Sequence, residues 1–278
     1  MKVEDCIVSV ERRTLGGCLD LAFVFTREFA APLFRLTSLF AIPSCALVWG
    51  MTAVSPNMLF PSLFVFLFFS SLFSGALVSA MGPQVFGVPI SIRQAMRSFR
   101  KRMVGYLLLT LFYRFLQLAT FMCFAFPAAI VTAQMGHMPE VLLLEHTPLT
   151  QVTSRLSWLS KGGGFSRNLS HVIGLAFVWI LISLGVFITI DVLSNALINM
   201  PVFVGRLPNP RVDFSDRMMA IALDSPLFLT VMHIAIWIPL PLVRLAWFFC
   251  YLDQRIRNEC WDIELQFRVE SRRLEELT

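Results

Sequence analysis

Residues 36–92 read LTSLFAIPSCALVWGMTAVSPNMLFPSLFVFLFFSSLFSGALVSAMGPQVFGVPISI, 57 consecutive positions without Asp, Glu, Lys, Arg or His. One bilayer crossing takes about 20 apolar residues. The run therefore holds two crossings and a turn, and Ser55-Pro56-Asn57 with Pro61 supplies turn chemistry at its middle. This reading places a first span over 30–54 and a second over 58–82.

Working outward, Met103 to Leu144 is interrupted only by Arg114, His137 and Glu140 and is again two spans long, with Pro127 as the break. The expected third and fourth spans cover 103–126 and 127–145. Val172–Ile190 lies in a fifth over 170–192, and Pro226–Val243 continued by Leu245–Leu252 makes a sixth over 226–252. The expectation is a single six-span membrane domain over 1–252, followed by an amphipathic tail over 253–278. Whole-chain composition agrees: 56% of the 278 residues are apolar, 15% are charged, and the mean hydropathy is +0.71. Soluble domains carry about 25% charged residues. A soluble enzyme is excluded, and so is a disulfide-stapled module, because Cys6, Cys18, Cys45, Cys123, Cys250 and Cys260 form no C-x-x-C pair.

Loops that stay in the cytoplasm hold Lys and Arg during insertion. With the amino terminus inside, 17 of these residues fall on inner segments, against three (Arg206, Arg211, Arg217) in outer loops. Five spans would export the basic tail, so the same asymmetry favours six. Glu4, Asp5 and Glu11 replace the cationic start of a cleavable signal peptide, so the first span is expected to act as an uncleaved anchor. Asn168-Leu169-Ser170 reads as a loop and helix cap on the inner face.

Short helical periodicities precede the odd-numbered spans. Ile92, Met96, Phe99 and Met103 share one stripe, while Arg93, Arg97, Arg100 and Lys101 share another. The reading is an interfacial helix with its apolar edge among acyl chains and its cations on anionic headgroups, or cations that only enforce topology. Leu149, Val152, Leu156 and Leu159 repeat the stripe before the fifth span; Leu15, Leu19 and Ala22 begin a weaker one before the first. The fold class expected is thus all-α integral membrane, with six transmembrane helices as three hairpins, each preceded by a cytoplasmic-side amphipathic helix.

Ionisable groups inside a bilayer are costly and mark function or packing. By helical rise, Arg114, His137, Glu140 and Arg244 lie at similar depth in the inner half of the bundle. They read either as a polar cavity for an anionic headgroup or solute, or as an internal ion pair that locks helices, with Glu140 neutralising Arg114 or Arg244. Arg35 can snorkel to headgroups, and Asp191 lies at the outer end of the fifth span. Pro139 breaks the turn that a metal-binding H-x-x-E at His137 and Glu140 needs. Lys161-Gly162-Gly163-Gly164 is a flexible joint and no phosphate loop. No catalytic residue, metal site or cofactor is expected, and nucleic acid is not an expected partner. Ser71, Gly75 and Ser79 form a small-residue stripe for packing within the chain or for homo-oligomerisation. Residues 261–270 alternate strictly like a strand, yet also fit a surface helix.

Two stretches resemble a known family. Leu142-Leu143-Leu144-Glu145 with Pro148-Leu149 and the segment from Arg155 to Gly162 is similar to the connection between the fourth and fifth helices of the glycerophosphoryl diester phosphodiesterase membrane domain family. Tyr251-Leu252-Asp253-Gln254-Arg255-Ile256-Arg257-Asn258-Glu259 with Asp262 resembles that family's Y-F-D-x-R-x-R-x-E-G-x-D ending. The chain departs from it at Cys260 and at Leu156-Ser157. The resemblance implies a six-helix protein of the bacterial inner membrane, often the non-catalytic neighbour of an enzyme, and it brings no phosphodiesterase activity. The function expected is a non-catalytic membrane protein, with both termini cytoplasmic, that interacts with lipid or recruits a cytoplasmic or membrane partner through 253–278. The alternative is a transporter or channel for a small anionic solute or lipid.

Overall fold

The computed structural model describes residues 12–55, 57–85, 92–200, 202–203, 221 and 225–259, which are helical and contain no strand among them. The helices are α1 (Leu15–Glu28), α2 (Ala30–Val54), α3 (Leu59–Val85), α4 (Ile92–Cys123), α5 (Ala125–Met135), α6 (Met138–Leu143), α7 (Val152–Leu159), α8 (Gly164–Ile198), α9 (Pro226–Trp237) and α10 (Leu240–Glu259). Five segments among them are long and apolar enough to cross a membrane: Ala30–Val54, Leu59–Gly82, Arg93–Cys123, Gly164–Ile198 and Pro226–Glu259. The chain is a multi-pass helical membrane protein. The tail from 260 onward, with its strand-or-helix alternation, and the loop bearing Arg206, Arg211 and Arg217 lie outside the described residues.

Two boundaries differ from the sequence reading, each for a backbone reason. The basic segment before the third span is not a separate helix but the first turns of the 32-residue α4. Arg, Gln, Ala, Met and Lys are strong helix formers, and nothing between Arg93 and Met103 breaks the hydrogen-bond ladder. The next break falls at Phe124, in extended backbone (φ −161°, ψ 151°), three residues before Pro127. Pro127 sits in the first turn of α5, where a missing N–H costs nothing.

Part of the stripes expected to lie among acyl chains turns inward, while Met96 and Met103 are half-buried and Leu149 is exposed. Phe99 is 2% exposed and Ala95 is buried, while Phe99 meets Tyr106 edge-to-face with centroids 5.5 Å apart. In α7, Val152, Leu156 and Leu159 are buried; in α1, Cys18, Ala22 and Phe25 are. These short helices cover a protein core.

α5 and α6 return along α4. Gln117 Nε2 donates to Thr132 Oγ1 at 2.9 Å, and Arg102 Nη1 donates to the Leu142 carbonyl at 3.5 Å, so the two arms of this helical hairpin run antiparallel. The return is broken at Gly136-His137 because Pro139, in the first turn of α6, has no N–H to continue the ladder. Trp247 Nε1 donates to the Gly136 carbonyl at 3.0 Å and satisfies a group the break exposes. A side chain at 136 would strike the Trp247 ring at 2.8 Å, so glycine is required there.

The described chain divides into two compact units. One holds Met1–Pro32, Ser74–Leu175 and Arg244–Thr278; the other holds Leu33–Phe73 and Ala176–Val243. In the first, Lys161-Gly162-Gly163-Gly164 forms the turn between α7 and α8, where Gly162 and Gly163 have φ of 61° and 84°, in the left-handed region that favours glycine. Asn168 lies within α8 instead of capping it, because the helix starts at Gly164. Its buried Nδ2 donates to the Ala133 carbonyl at 3.2 Å and to Gln254 Oε1 at 3.4 Å. The second unit is an aromatic core in which Phe66 stacks on Trp179 and meets His233 and Trp237 edge-on.

Candidate functional site

In α4, Arg93, Arg97, Arg100 and Lys101 are exposed, and among the described residues none of the four forms an ion pair. At helical spacing their row continues into Val104 (70% exposed), Leu108, Leu111, Phe112 (68% exposed) and Phe115. One exposed edge therefore changes from cationic to apolar at Val104. The opposite edge, with Ala95, Phe99, Tyr106 and Tyr113, is buried.

Glu145, Asp253 and Glu259 of the same unit have their own cations. Glu145 Oε2 accepts from Arg155 Nε at 2.6 Å, and its Oε1 accepts from Arg155 Nη2 at 2.9 Å and from the Tyr251 hydroxyl at 2.6 Å. Arg255 approaches Glu145 at 3.5 Å and holds Glu259 through Nε and Nη2 at 2.9 and 2.6 Å; Arg155 also pairs with Glu259. Asp253 takes Arg257 Nε at 2.8 Å and the Arg13 backbone N–H at 2.7 Å. Gln254 and Asn258 donate to the Leu159 carbonyl at 2.9 and 2.7 Å. The end of α10 thus fastens α7, the loop before it and the start of α1. Burial opposes the charge on Glu145, but the Arg155 fork, the Tyr251 hydroxyl and Arg255 outweigh it and hold the carboxyl below its ordinary range.

Of the four intramembrane groups, Glu140 and Arg244 meet at 2.7 Å. Glu140 is 0% exposed and Arg244 9%, and Arg244 Nε also donates to Ser74 Oγ. Arg114 is not part of that pair. It donates to Gln117 Oε1 at 2.9 Å, and Gln117 hands the chain on to Thr132, which bonds the Ala128 carbonyl at 2.7 Å. His137 stacks on Trp247 with centroids 4.1 Å apart. The four residues therefore form three separate contacts. Among the described residues no cluster of His, Cys, Asp and Glu could hold a metal ion.

The small-residue stripe splits between the two units. Ser71 Oγ donates to the Leu67 carbonyl at 2.6 Å. A Cβ at Gly75 would meet Phe99 at 2.4 Å and Tyr106 at 2.8 Å, so this chain's own α4 fills the gap. Ser79 lines a cavity with the first turns of α4. Arg35 is exposed near the start of α2.

Two polar contacts had no signal in the sequence. Ser44 Oγ and His233 Nε2 lie 2.6 Å apart in the buried core of the second unit, 189 positions apart in sequence. Asp191, expected only to end a span, is 1% exposed and accepts the backbone N–H groups of Val202 and Phe203 at 2.8 and 2.9 Å. Backbone capping by a short acid is a common use of Asp, but spacing along the chain does not reveal it.

No family model, curated protein or solved structure matches this chain.

Proposed function

We propose that this chain is a non-catalytic integral membrane protein that binds anionic lipid headgroups along α4. The observation that carries the reading is one exposed edge that runs from four cations, which have no carboxylate partner among the described residues, into apolar side chains at Val104. Its pattern is that of a lipid, charged head first and acyl chain after. Each such cation near an anionic surface contributes about 1 kcal/mol. Changing Arg93, Arg97, Arg100 and Lys101 together to Gln should lower anionic-lipid co-purification, measured by mass spectrometry of extracted lipid, without loss of membrane insertion. Unchanged lipid content would reduce the four residues to topology markers.

The proposal takes six crossings in a bacterial inner membrane with both termini cytoplasmic. α5 and α6 together cover residues 125–143, about 28 Å at helical rise, close to the roughly 30 Å hydrocarbon layer. A broken fourth crossing is supported by the Trp247 bond to Gly136, since bilayer-depth breaks persist only where freed backbone groups find partners. Reporter fusions after Thr278 and within 206–217 should then report opposite sides of the membrane. The same side for both would exclude six crossings. Kinship with the glycerophosphoryl diester phosphodiesterase membrane domain family belongs to the proposal too. The two stretches that carry the resemblance meet at Glu145, where Arg155 and Tyr251 converge.

A transport path is the second reading. It is favoured by buried Glu140 Oε2, Arg244 Nη2 and Arg114 Nε, which have no hydrogen-bond partner among the described residues.

A further inference from the structure

The first unit contains a cavity of about 200 Å³ where the last turns of α3, the first turns of α4 and the loop after α6 come together. Ser79, Ser98, Lys101, Arg102, Leu143 and His146 line it. Two cations, an imidazole and two hydroxyls face one volume with no carboxylate among them. That donor set is selective for a compact anion: Arg supplies a planar fork matched to phosphate oxygens, Lys a point charge, and Ser and His further donors. The volume equals about six or seven waters at roughly 30 Å³ each, enough for a phosphate and part of the group that bears it.

The rim is built rather than incidental. His146 has φ 57°, a left-handed conformation that costs a side-chain-bearing residue free energy and persists only where surroundings impose it. Its surroundings do so: Glu145 beside it is clamped by Arg155 and Tyr251, and the Thr147 N–H closes the loop onto the Val141 carbonyl at 3.4 Å. Arg102 Nη1 donates to the Leu142 carbonyl at 3.5 Å, which lays its guanidinium against the last turn of α6, just before that loop. Among the described residues, neither Lys101 nor Arg102 has an acidic partner.

We infer that this cavity binds a terminal phosphate group, presented by a lipid headgroup as a monoester or as free phosphate. The inference rests on the headgroup reading of α4 and narrows it, from a row of cations that attracts any anionic lipid to one pocket that selects a terminal phosphate.

The full chain is placed in phosphatidylcholine nanodiscs doped with equal phosphatidate and phosphatidylglycerol, and bound lipid is counted by native mass spectrometry. Phosphatidate is expected to be retained about tenfold over phosphatidylglycerol. Arg102→Gln with His146→Asn should abolish that preference. Arg93→Gln with Arg97→Gln and Arg100→Gln should lower total anionic lipid and keep the preference. Displacement of phosphatidate by millimolar inorganic phosphate would assign the pocket to the phosphate group from either source; resistance to it would assign the pocket to the lipid. If the double variant does not fold, Lys101→Gln at its exposed position should halve the preference or more. A pocket variant that folds and keeps the full preference overturns the inference, as does a wild-type chain with no preference. If the pocket variant is unchanged while the triple variant loses lipid, the pocket fails and the broader reading stands. If instead the triple variant is unchanged, the broader reading fails, and a phosphate-induced rise in melting temperature, lost in Arg102→Gln with His146→Asn, decides the pocket alone.

Discussion

Glu140→Gln and Arg244→Gln should each lower thermal stability in detergent by the largest margin of any polar substitution in this chain, and the double change should recover part of the loss. Glu140 is fully buried 2.7 Å from Arg244, so removal of either partner leaves a charge with no water to solvate it. Breaking such a pair costs about 3–5 kcal/mol, whereas replacing both members with neutral groups removes the desolvation penalty along with the attraction. The coupling shows as non-additivity in a double-mutant cycle. Glu140→Gln with Arg114→Gln is the control, because Arg114 is held by Gln117, and this pair should be additive. Additive losses for Glu140 and Arg244 would mean that water screens the pair. A hydrated cavity would then be the better account, and the transport reading would overtake lipid binding.

The second large effect is expected at Glu145. Its carboxylate is the shared acceptor for Arg155, Tyr251 and Arg255, so Glu145→Ala leaves three donors on α7 and α10 without it. An orphaned buried donor costs about 1–3 kcal/mol, somewhat less where solvent reaches it. The whole change should lower the melting temperature by several degrees and raise proteolysis within 146–163, the stretch that the cluster ties to α10. The folded carboxyl titrates below its ordinary value, so its contribution is complete above the unfolded carboxylate range near about 4.3 and is lost as pH falls through the lower folded value. Glu145→Gln should accordingly flatten the acid side of the stability profile. An unchanged acid limb would show that the Glu145 charge contributes nothing to the clamp.

The spans were legible because a charge-free run has few uses other than a bilayer crossing. The break between α2 and α3 was readable at Asn57, whose φ of 61° is the turn conformation that Asn tolerates. Helix starts were less so. The charge pattern at Arg102-Met103 suggests where a membrane surface lies, but α4 passes through that point because hydrogen-bond ladders respond to Pro, Gly and caps rather than to polarity. Pro127 misled for the related reason that a proline in a first turn begins a helix as readily as it ends one. The inward stripe of Phe99 looked like a lipid-facing edge, since burial against protein and burial against acyl chains demand the same side chains.

Depth arithmetic put Arg114, His137, Glu140 and Arg244 at one level, but only side-chain direction separates Arg244 at Glu140 from Arg114 at Gln117. The Glu145 cluster joins residues more than 100 positions apart and has no periodicity to betray it. The cavity at Ser79, Arg102 and His146 was invisible for the same reason, although Ser79 and Lys101 had each been singled out for other roles.

The account turns on whether the cations of α4 face lipid, and a structure determined in nanodiscs containing anionic phospholipid measures that directly. The prediction is headgroup phosphate density within hydrogen-bond distance, about 3 Å, of guanidinium groups among Arg93, Arg97 and Arg100. Acyl density from the same molecule should run down past Val104, Leu108 and Phe112. Density at these side chains from carboxylates of another protein copy, or an annulus of lipid no denser at α4 than at α8, would contradict it.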